Sequence, residues 1–312
     1  MALASASCCE ATVYGMLAPK RPVSRRPPRF ARQLMLFTGR PKKPSTVCRY
    51  PLRSTAAAEV VSTAASTGAR LVLERYRQLP SDVVAEPWIE VLVRRKWNEA
   101  REIVCLELVG TDGAVLPRFE AGAYINVELP GGLIRPYSLA NAPGERDSYL
   151  LAVLLAPGSS GGSIAIHNRV KAGDRLRVLA PRNTYPLQGG AIHSVLLAGG
   201  IGIAPLLSMA EYLWHTGASF DLHYSFRTPE CAAFLRRLRE APFATRVHRW
   251  CSQSESTGRI DVASVLARVP RLSHLYLCGP ATYTAAIERV ASQMNWPSDH
   301  IHQESFEIVS RI

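Results

Sequence analysis

The stretch "VLLAGGIGIAPLLSMAEYLW", residues 195–214, decides the fold: a short apolar run, a cluster of glycines, then a helical pattern. That order marks a strand turning tightly into a helix. Leu206, Leu207, Ala210 and Leu213 fall at helical spacing, and Gly217 stands where a C-cap belongs. Gly199, Gly200 and Gly202 carry no side chain to block a ligand from backbone N–H groups, and a helix start adds partial positive charge. Pro205 suits the first helical turn, where its missing N–H costs nothing. The Rossmann form G-x-G-x-x-G/A is not met, because Ile203, Ala204 and Pro205 follow Gly200-Ile201-Gly202. It also needs an acid at the end of the next strand. That strand, FDLHYSF, runs out in Ser225-Phe226-Arg227-Thr228, with Asp221 at the wrong end. A nucleotide loop of another kind and a purely structural turn both stay open on this stretch alone.

Downstream of residue 190, apolar runs (HSVLLAGG, FDLHYSF, TRVHRW, HLYLCGP, HIHQESF) alternate with helical runs (APLLSMAEYLWHTG, CAAFLRRLREAP, IDVASVLARVP, ATYTAAIERVASQMN). Such alternation predicts a parallel sheet with right-handed crossovers. Upstream, from residue 87, short Val-, Leu-, Ile- and Tyr-rich runs are separated by Gly, Pro, Asn and Asp: WIEVLVRRKW, REIVCLELVG, YINVELP, RPYSLAN, SYLLAVLLAP and DRLRVLAPR. They predict an antiparallel β-barrel, interrupted by one helix-like piece, GGSIAIHNRVKAG. The expected organisation is a basic segment over residues 1–85, with room for a short helix in TGARLVLERYRQLP, then a barrel over 86–188 and an α/β domain over 189–312.

With 312 residues, 47% of them apolar, the chain is long enough for two ordinary domains with real cores. Its formal charge of +12 is concentrated: residues 1–70 hold twelve Lys and Arg against Glu10 and Glu59, and the rest is nearly neutral. The folded part therefore lacks the basic surface expected of a nucleic-acid binder. The opening segment, dense in Ala, Ser, Arg and Pro (PKRPVSRRPPRF), cannot pack a core. It reads as an organellar transit peptide, a disordered basic tail or a misplaced translation start. No uninterrupted apolar run is long enough to span a bilayer. A soluble cytoplasmic protein is expected, or an organellar one if residues 1–70 are a transit peptide. The seven cysteines are scattered, with no C-x-x-C pair and no plant-type iron–sulfur run. Free thiols in a reducing compartment are the expectation, with no metal site.

Three further motifs carry chemistry. In "RPYS", residues 135–138, Arg135 can pair with phosphate, Tyr137 can cover an aromatic ring, and the Ser138 hydroxyl can bond a ring nitrogen. "SSGGS", residues 159–163, is a phosphate cradle or a flexible linker. "LYLCGP", residues 275–280, puts Cys278 at the carboxyl edge of the sheet, as a functional group or as a buried inert thiol. The motifs come in the order RPYS, GGS, GGIGIAP, CGP, behind a barrel and across a parallel sheet. In this the chain resembles the ferredoxin–NADP reductase superfamily, and within it the reductases of phthalate dioxygenase and vanillate demethylase, over roughly residues 87–307.

The resemblance implies a barrel that holds flavin and an α/β domain that holds NAD(P)H. Arg135, Tyr137 and Ser138 would hold the flavin, with Ser138 near the nitrogen that accepts hydride. Ala152, Val153 and Leu154 would line its ring, and Gly161, Gly162 and Ser163 would hold its phosphate. FMN is implied over FAD, and NADH over NADPH. Gly200, Gly202 and Pro205 would shape the pyridine-nucleotide site, with Arg227 near the adenosine ribose and Cys278, Gly279 and Pro280 near the nicotinamide. Phe306 would cover the flavin face, and Glu304 would handle a proton beside the catalytic pair Ser138 and Cys278. Electrons would leave for a ferredoxin or an oxygenase component, without a membrane or nucleic-acid partner. The loop departs from the GGIGITP type by carrying Ala204 in place of Thr. The relatives continue into a ferredoxin domain that this sequence does not contain, so a domain lost, truncated or supplied by a separate protein is expected, with no [2Fe–2S] centre here. A stand-alone ferredoxin reductase and a non-catalytic nucleotide-binding remnant are the competing readings. The eight histidines read as surface or strand residues.

Overall fold

The computed structural model describes residues 87–304, apart from Pro157 and Ser160. The basic segment and Phe306 lie outside the described residues. Six strands form the first sheet: β1 (Ile89–Ala100), β2 (Ile103–Gly110), β3 (Tyr124–Leu129), β4 (Leu133–Ser138), β5 (Tyr149–Leu154) and β6 (Arg175–Val178). They run in the order β4-β3-β6-β1-β2-β5, antiparallel throughout. An antiparallel bridge between Leu139, just past β4, and Leu151 of β5 brings the two edges together and closes the barrel. Alternation does the packing: Ile125, Val127 and Leu129 of β3 point inward, onto Val91, Val93, Leu106 and Leu151. A short helix, α1 (Gly162–Asn168), follows β5. Its last turn is held by Lys96, whose Nζ donates to the carbonyls of Ile166, His167 and Val170 at 2.7, 2.7 and 2.8 Å.

The second sheet contains β7 (Ser194–Gly199), β8 (Phe220–Phe226), β9 (Val247–Cys251), β10 (His274–Cys278) and β11 (Ile301–Glu304). Every pairing is parallel, in the order β11-β10-β7-β8-β9. Central β7 is buried at every position because both its faces are covered. On one face Leu196, Ala198, Leu222 and Tyr224 meet α2 (Ile203–His215), in a core shared with Ile103, Cys105 and Ala152 of the barrel. On the other, Val195, Leu197, Leu275 and Leu277 lie under α4 (Val262–Leu266) and α5 (Ala281–Gln293).

One helix is shorter than its pattern. The run CAAFLRRLREAP predicts a helix from residue 231, but α3 covers only Leu235–Glu240. Pro229–Cys231 makes a 3₁₀ turn, and Phe234 sits at φ 62°, which no helix tolerates. Burial of Phe234 in the shared core overrides the helical spacing of its neighbours.

Candidate functional site

A cleft of about 770 Å³ opens between barrel and parallel sheet. Arg135, Tyr137 and Ser138 reach it from β4, Ala152, Val153 and Leu154 from β5, and Gly162 and Ser163 from α1. Glu304, the last residue of β11, lines it from the other sheet. Local structure sets each position. Gly161 leads into α1 at φ 101°, and its N–H donates to the Ser159 hydroxyl at 3.2 Å. Ser163 donates to the same hydroxyl at 2.9 Å and accepts from the Ala156 N–H at 3.2 Å. At Gly162 a Cβ would stand 2.8 Å from Cγ of Arg135 and 3.3 Å from the Tyr137 hydroxyl, so only glycine lets the turn sit against those side chains. The cleft thus offers a tyrosine ring, an apolar strand edge, a guanidinium and a glycine-lined turn. A flat heterocycle with a phosphate tail fits those surfaces, and the volume lies in the range of cofactor pockets.

The second set of residues gathers at the carboxyl ends of the parallel strands. The chain leaves β7 toward β8 and β9, then crosses back to β10 and β11, so strand order reverses between β7 and β10. Gly200–Gly202 turns out of β7 into α2, while Gly279 and Pro280 join β10 to α5. The two turns touch. A Cβ on Gly202 would lie 2.2 Å from the Cys278 carbonyl oxygen, and one on Gly279 would lie 3.0 Å from Cα of Gly199. Tyr283 of α5 closes over Gly199 and donates to the Ser225 hydroxyl at 3.3 Å. Gly200 differs: it adopts φ 56° with no heavy atom near its missing side chain. Pro205 is buried in the first turn of α2. Ile201 and Ala204 carry this region into the cleft, whereas Arg227, exposed just past β8, lies away from its lining.

Cys278 and Glu304 are register partners on β10 and β11, and the Ser138 hydroxyl donates across the cleft to Glu304 Oε2 at 3.2 Å. Burial pushes the Glu304 carboxyl up to about 7, the Ser138 bond pulling it back only in part. Cys278 is fully enclosed, and burial, with the neighbouring Glu304 charge, keeps its thiol neutral. Burial likewise pushes the Tyr137 phenol up to about 12, against the pull of Arg135. Sequence reasoning missed three residues that hold the site in place. The hydroxyl of buried Tyr185 donates to Leu277 O at 3.0 Å, tying the barrel's exit to β10. His167 of α1 bonds the Val153 carbonyl at 3.0 Å through Nε2, and Lys96 caps the same helix. The aromatic in NTYPL was a signal for Tyr185; Lys96 and His167 left none, because their partners are backbone carbonyls distant in sequence. Among the described residues no group of His, Cys, Asp or Glu is arranged to hold a metal ion.

A barrel and a parallel sheet sharing such a cleft make a ferredoxin reductase-type flavin- and pyridine-nucleotide-binding fold, and the chain is an NAD(P)H-dependent flavoprotein oxidoreductase of that class. The solved phthalate dioxygenase reductase, described as a modular structure for electron transfer from pyridine nucleotides to [2Fe–2S], is similar at a TM-score of 0.67 and 37% identity, over 72% of this chain and 69% of that one. The vanillate O-demethylase oxidoreductase of Pseudomonas putida is 44% identical over 218 residues, 70% of this chain and 68% of the relative. The phthalate dioxygenase reductase of Burkholderia cepacia is 37% identical over 220 residues, with the same coverage. The chain belongs to the family of vanillate demethylase and phthalate dioxygenase reductases. No family model matches it. No helix among the described residues is long and apolar enough to cross a membrane.

Proposed function

We propose that this chain is the reductase component of a multicomponent aromatic oxygenase or demethylase of the Rieske type, taking hydride from NADH and passing electrons singly to an iron–sulfur protein, a ferredoxin or the oxygenase itself. The convergence of Arg135, Tyr137, Ser138 and Glu304 on one cleft carries this reading. In it, residues 86–188 form the flavin half and 189–312 the nucleotide half. FMN is the flavin of choice. Arg135, Gly161, Gly162 and Ser163 hold its phosphate, Tyr137 covers its ring, and Ala152, Val153 and Leu154 line the ring's edge. When bound, the flavin takes up electrons as a pair and gives them up one at a time.

The residues of the chain bind, orient and hold a proton. Ser138 sets its hydroxyl between the flavin site and Glu304. Glu304, at about 7, keeps a proton for part of the time at neutral pH and can deliver it through that hydroxyl. Cys278 keeps a neutral thiol at the end of β10, beside the place assigned to nicotinamide, which Gly279 and Pro280 border. Gly200, Gly202 and Pro205 shape the turn for the nucleotide, Arg227 takes the adenosine ribose, and Phe306 is assigned to the flavin face. A cytoplasmic setting is our reading.

The test is an absorption spectrum before and after anaerobic NADH. A yellow protein that bleaches and then reduces ferricyanide is expected, releasing FMN rather than FAD on denaturation. NADH should exceed NADPH in kcat/KM. A colourless protein that takes up no flavin overturns the proposal.

A further inference from the structure

The hairpin joining β1 to β2 reaches past its own sheet. Its turn touches two places that matter to the reading above. On one side the Leu155 N–H, next after β5, donates to the Glu102 carbonyl at 2.7 Å. That ties the turn to the strand assigned to the flavin ring. On the other side the Arg101 N–H donates to the Glu230 carbonyl at 2.6 Å, and Glu99 Oε1 accepts from the Phe234 N–H at 2.9 Å. These two bonds hold Glu230 and Phe234, in the loop that follows Arg227; Arg227 itself is held by its carbonyl, which accepts from the Gln253 N–H at 3.3 Å. Glu99 is itself held, since its Oε2 accepts from the Trp97 indole N–H at 2.8 Å. Trp97 and Ala100 then pack against the core that contains Ala232, Ala233 and Phe234.

We propose that this turn is a clamp setting the nucleotide loop against the flavin strand, and that Glu99 is a positioning residue for pyridine-nucleotide binding. The proposal rests on the assignment of Arg227 to the adenosine half. Its physical basis is the conformation of Phe234. A residue with a side chain pays to sit at φ 62°, and the N–H it presents there is taken by neither a strand nor a helical turn. The Glu99 carboxylate supplies the acceptor. Without it, a half-buried N–H loses its partner while the backbone strain persists, and the nearest relief is for the loop to leave its position. The flavin side of the clamp is a backbone bond at Glu102, which a change at Glu99 leaves standing.

Glu99→Ala in the full-length holoprotein tests this. The expected result is a KM for NADH raised about tenfold, kcat of ferricyanide reduction within twofold, flavin content unchanged, and AMP weakened as a competitive inhibitor by the same factor as KM. Glu99→Gln keeps an acceptor for Phe234 but turns its amide N–H onto the Trp97 N–H, so it should recover only part of the loss. Trp97→Phe removes that second donor; combined with Glu99→Gln it should bring KM down from the Glu99→Gln value to that of Trp97→Phe alone. A merely structural role predicts lost flavin or lost stability without that pattern. If Glu99→Ala does not fold, Glu99→Gln and the double variant decide, because equal KM in the two overturns the clamp. Unchanged KM and AMP inhibition in a flavin-replete Glu99→Ala protein overturn it as well, while leaving the reductase reading intact. A wild-type holoprotein reduced by neither NADH nor NADPH removes both.

Discussion

At Gly162 in the barrel a Cβ would meet the side chains of Arg135 and Tyr137; at Gly202 in the α/β half it would meet the Cys278 backbone. The Arg135 stem must turn from its root at Cγ to make room, whereas the carbonyl at the end of β10 is fixed by the parallel pairings on either side of it. The barrel's glycine turn is therefore shaped around movable groups that the cofactor itself would touch. The glycine turn of the α/β half is shaped first around its neighbouring turn. Glycine-rich sequence says only that room is needed. What the room is for differs between the two halves.

Gly202→Ala gives the sharpest break. With a contact of 2.2 Å to backbone, the two turns must separate, an overpacking cost of about 3 kcal/mol. Thermal unfolding should fall by roughly 6–12 °C. A loss of under a degree would mean that the turns give way easily and the contrast with Gly162 is false.

The second largest effect lies where the halves meet, at Ser138 and Glu304. Burial raises the Glu304 carboxyl to about 7, above its unfolded value of about 4.3. Between those values the folded protein holds a proton that the unfolded chain has released, so stability falls as pH rises through this window and levels off above it. Allowing for the carboxyl's partial exposure, the loss is of the order of 2 kcal/mol. Glu304→Gln should remove this contribution, so that the variant gains about that much stability relative to the wild type between pH 4.5 and pH 8, as read by denaturant unfolding. An unaltered slope would assign the pH dependence elsewhere. Gly162→Ala comes next. Arg135 must shift, and flavin should bind about tenfold more weakly, equivalent to about 1.4 kcal/mol, with little change in the apoprotein's unfolding. Loss of the apoprotein fold instead would make the two turns alike.

Much of this was legible in the sequence because the two periodicities are local. The run FDLHYSF becomes β8, residue for residue, and HSVLLAGG contains all of β7. The lining of the cleft was legible too, since RPYS and SSGGS bring their own chemistry, although consecutive residues 134–138 all line it and alternation along the strand does not select them. Long-range backbone constraints were not. Nothing around Phe234 announces a left-handed residue, because the cause is burial against a barrel strand more than a hundred residues earlier. Gly199, Gly200 and Gly202 read alike as letters, and only the fold separates the two that are pressed by neighbours from the one that is not.

That last glycine gives the smallest and most discriminating test. Gly200 stands at φ 56° with open space where its side chain would be. Alanine there clashes with nothing in the protein and costs about 1 kcal/mol of left-handed strain. Asparagine tolerates that conformation better and should recover most of the stability. If the space exists for a nucleotide, however, both side chains intrude on it. KM for NADH should then rise in both variants, more in Gly200→Asn, although Gly200→Asn is the more stable protein. Stability and nucleotide affinity would move in opposite directions across the pair. If affinity instead recovers with stability in Gly200→Asn, the turn needs glycine only for its backbone, and the α/β half loses its claim to a ligand at this point.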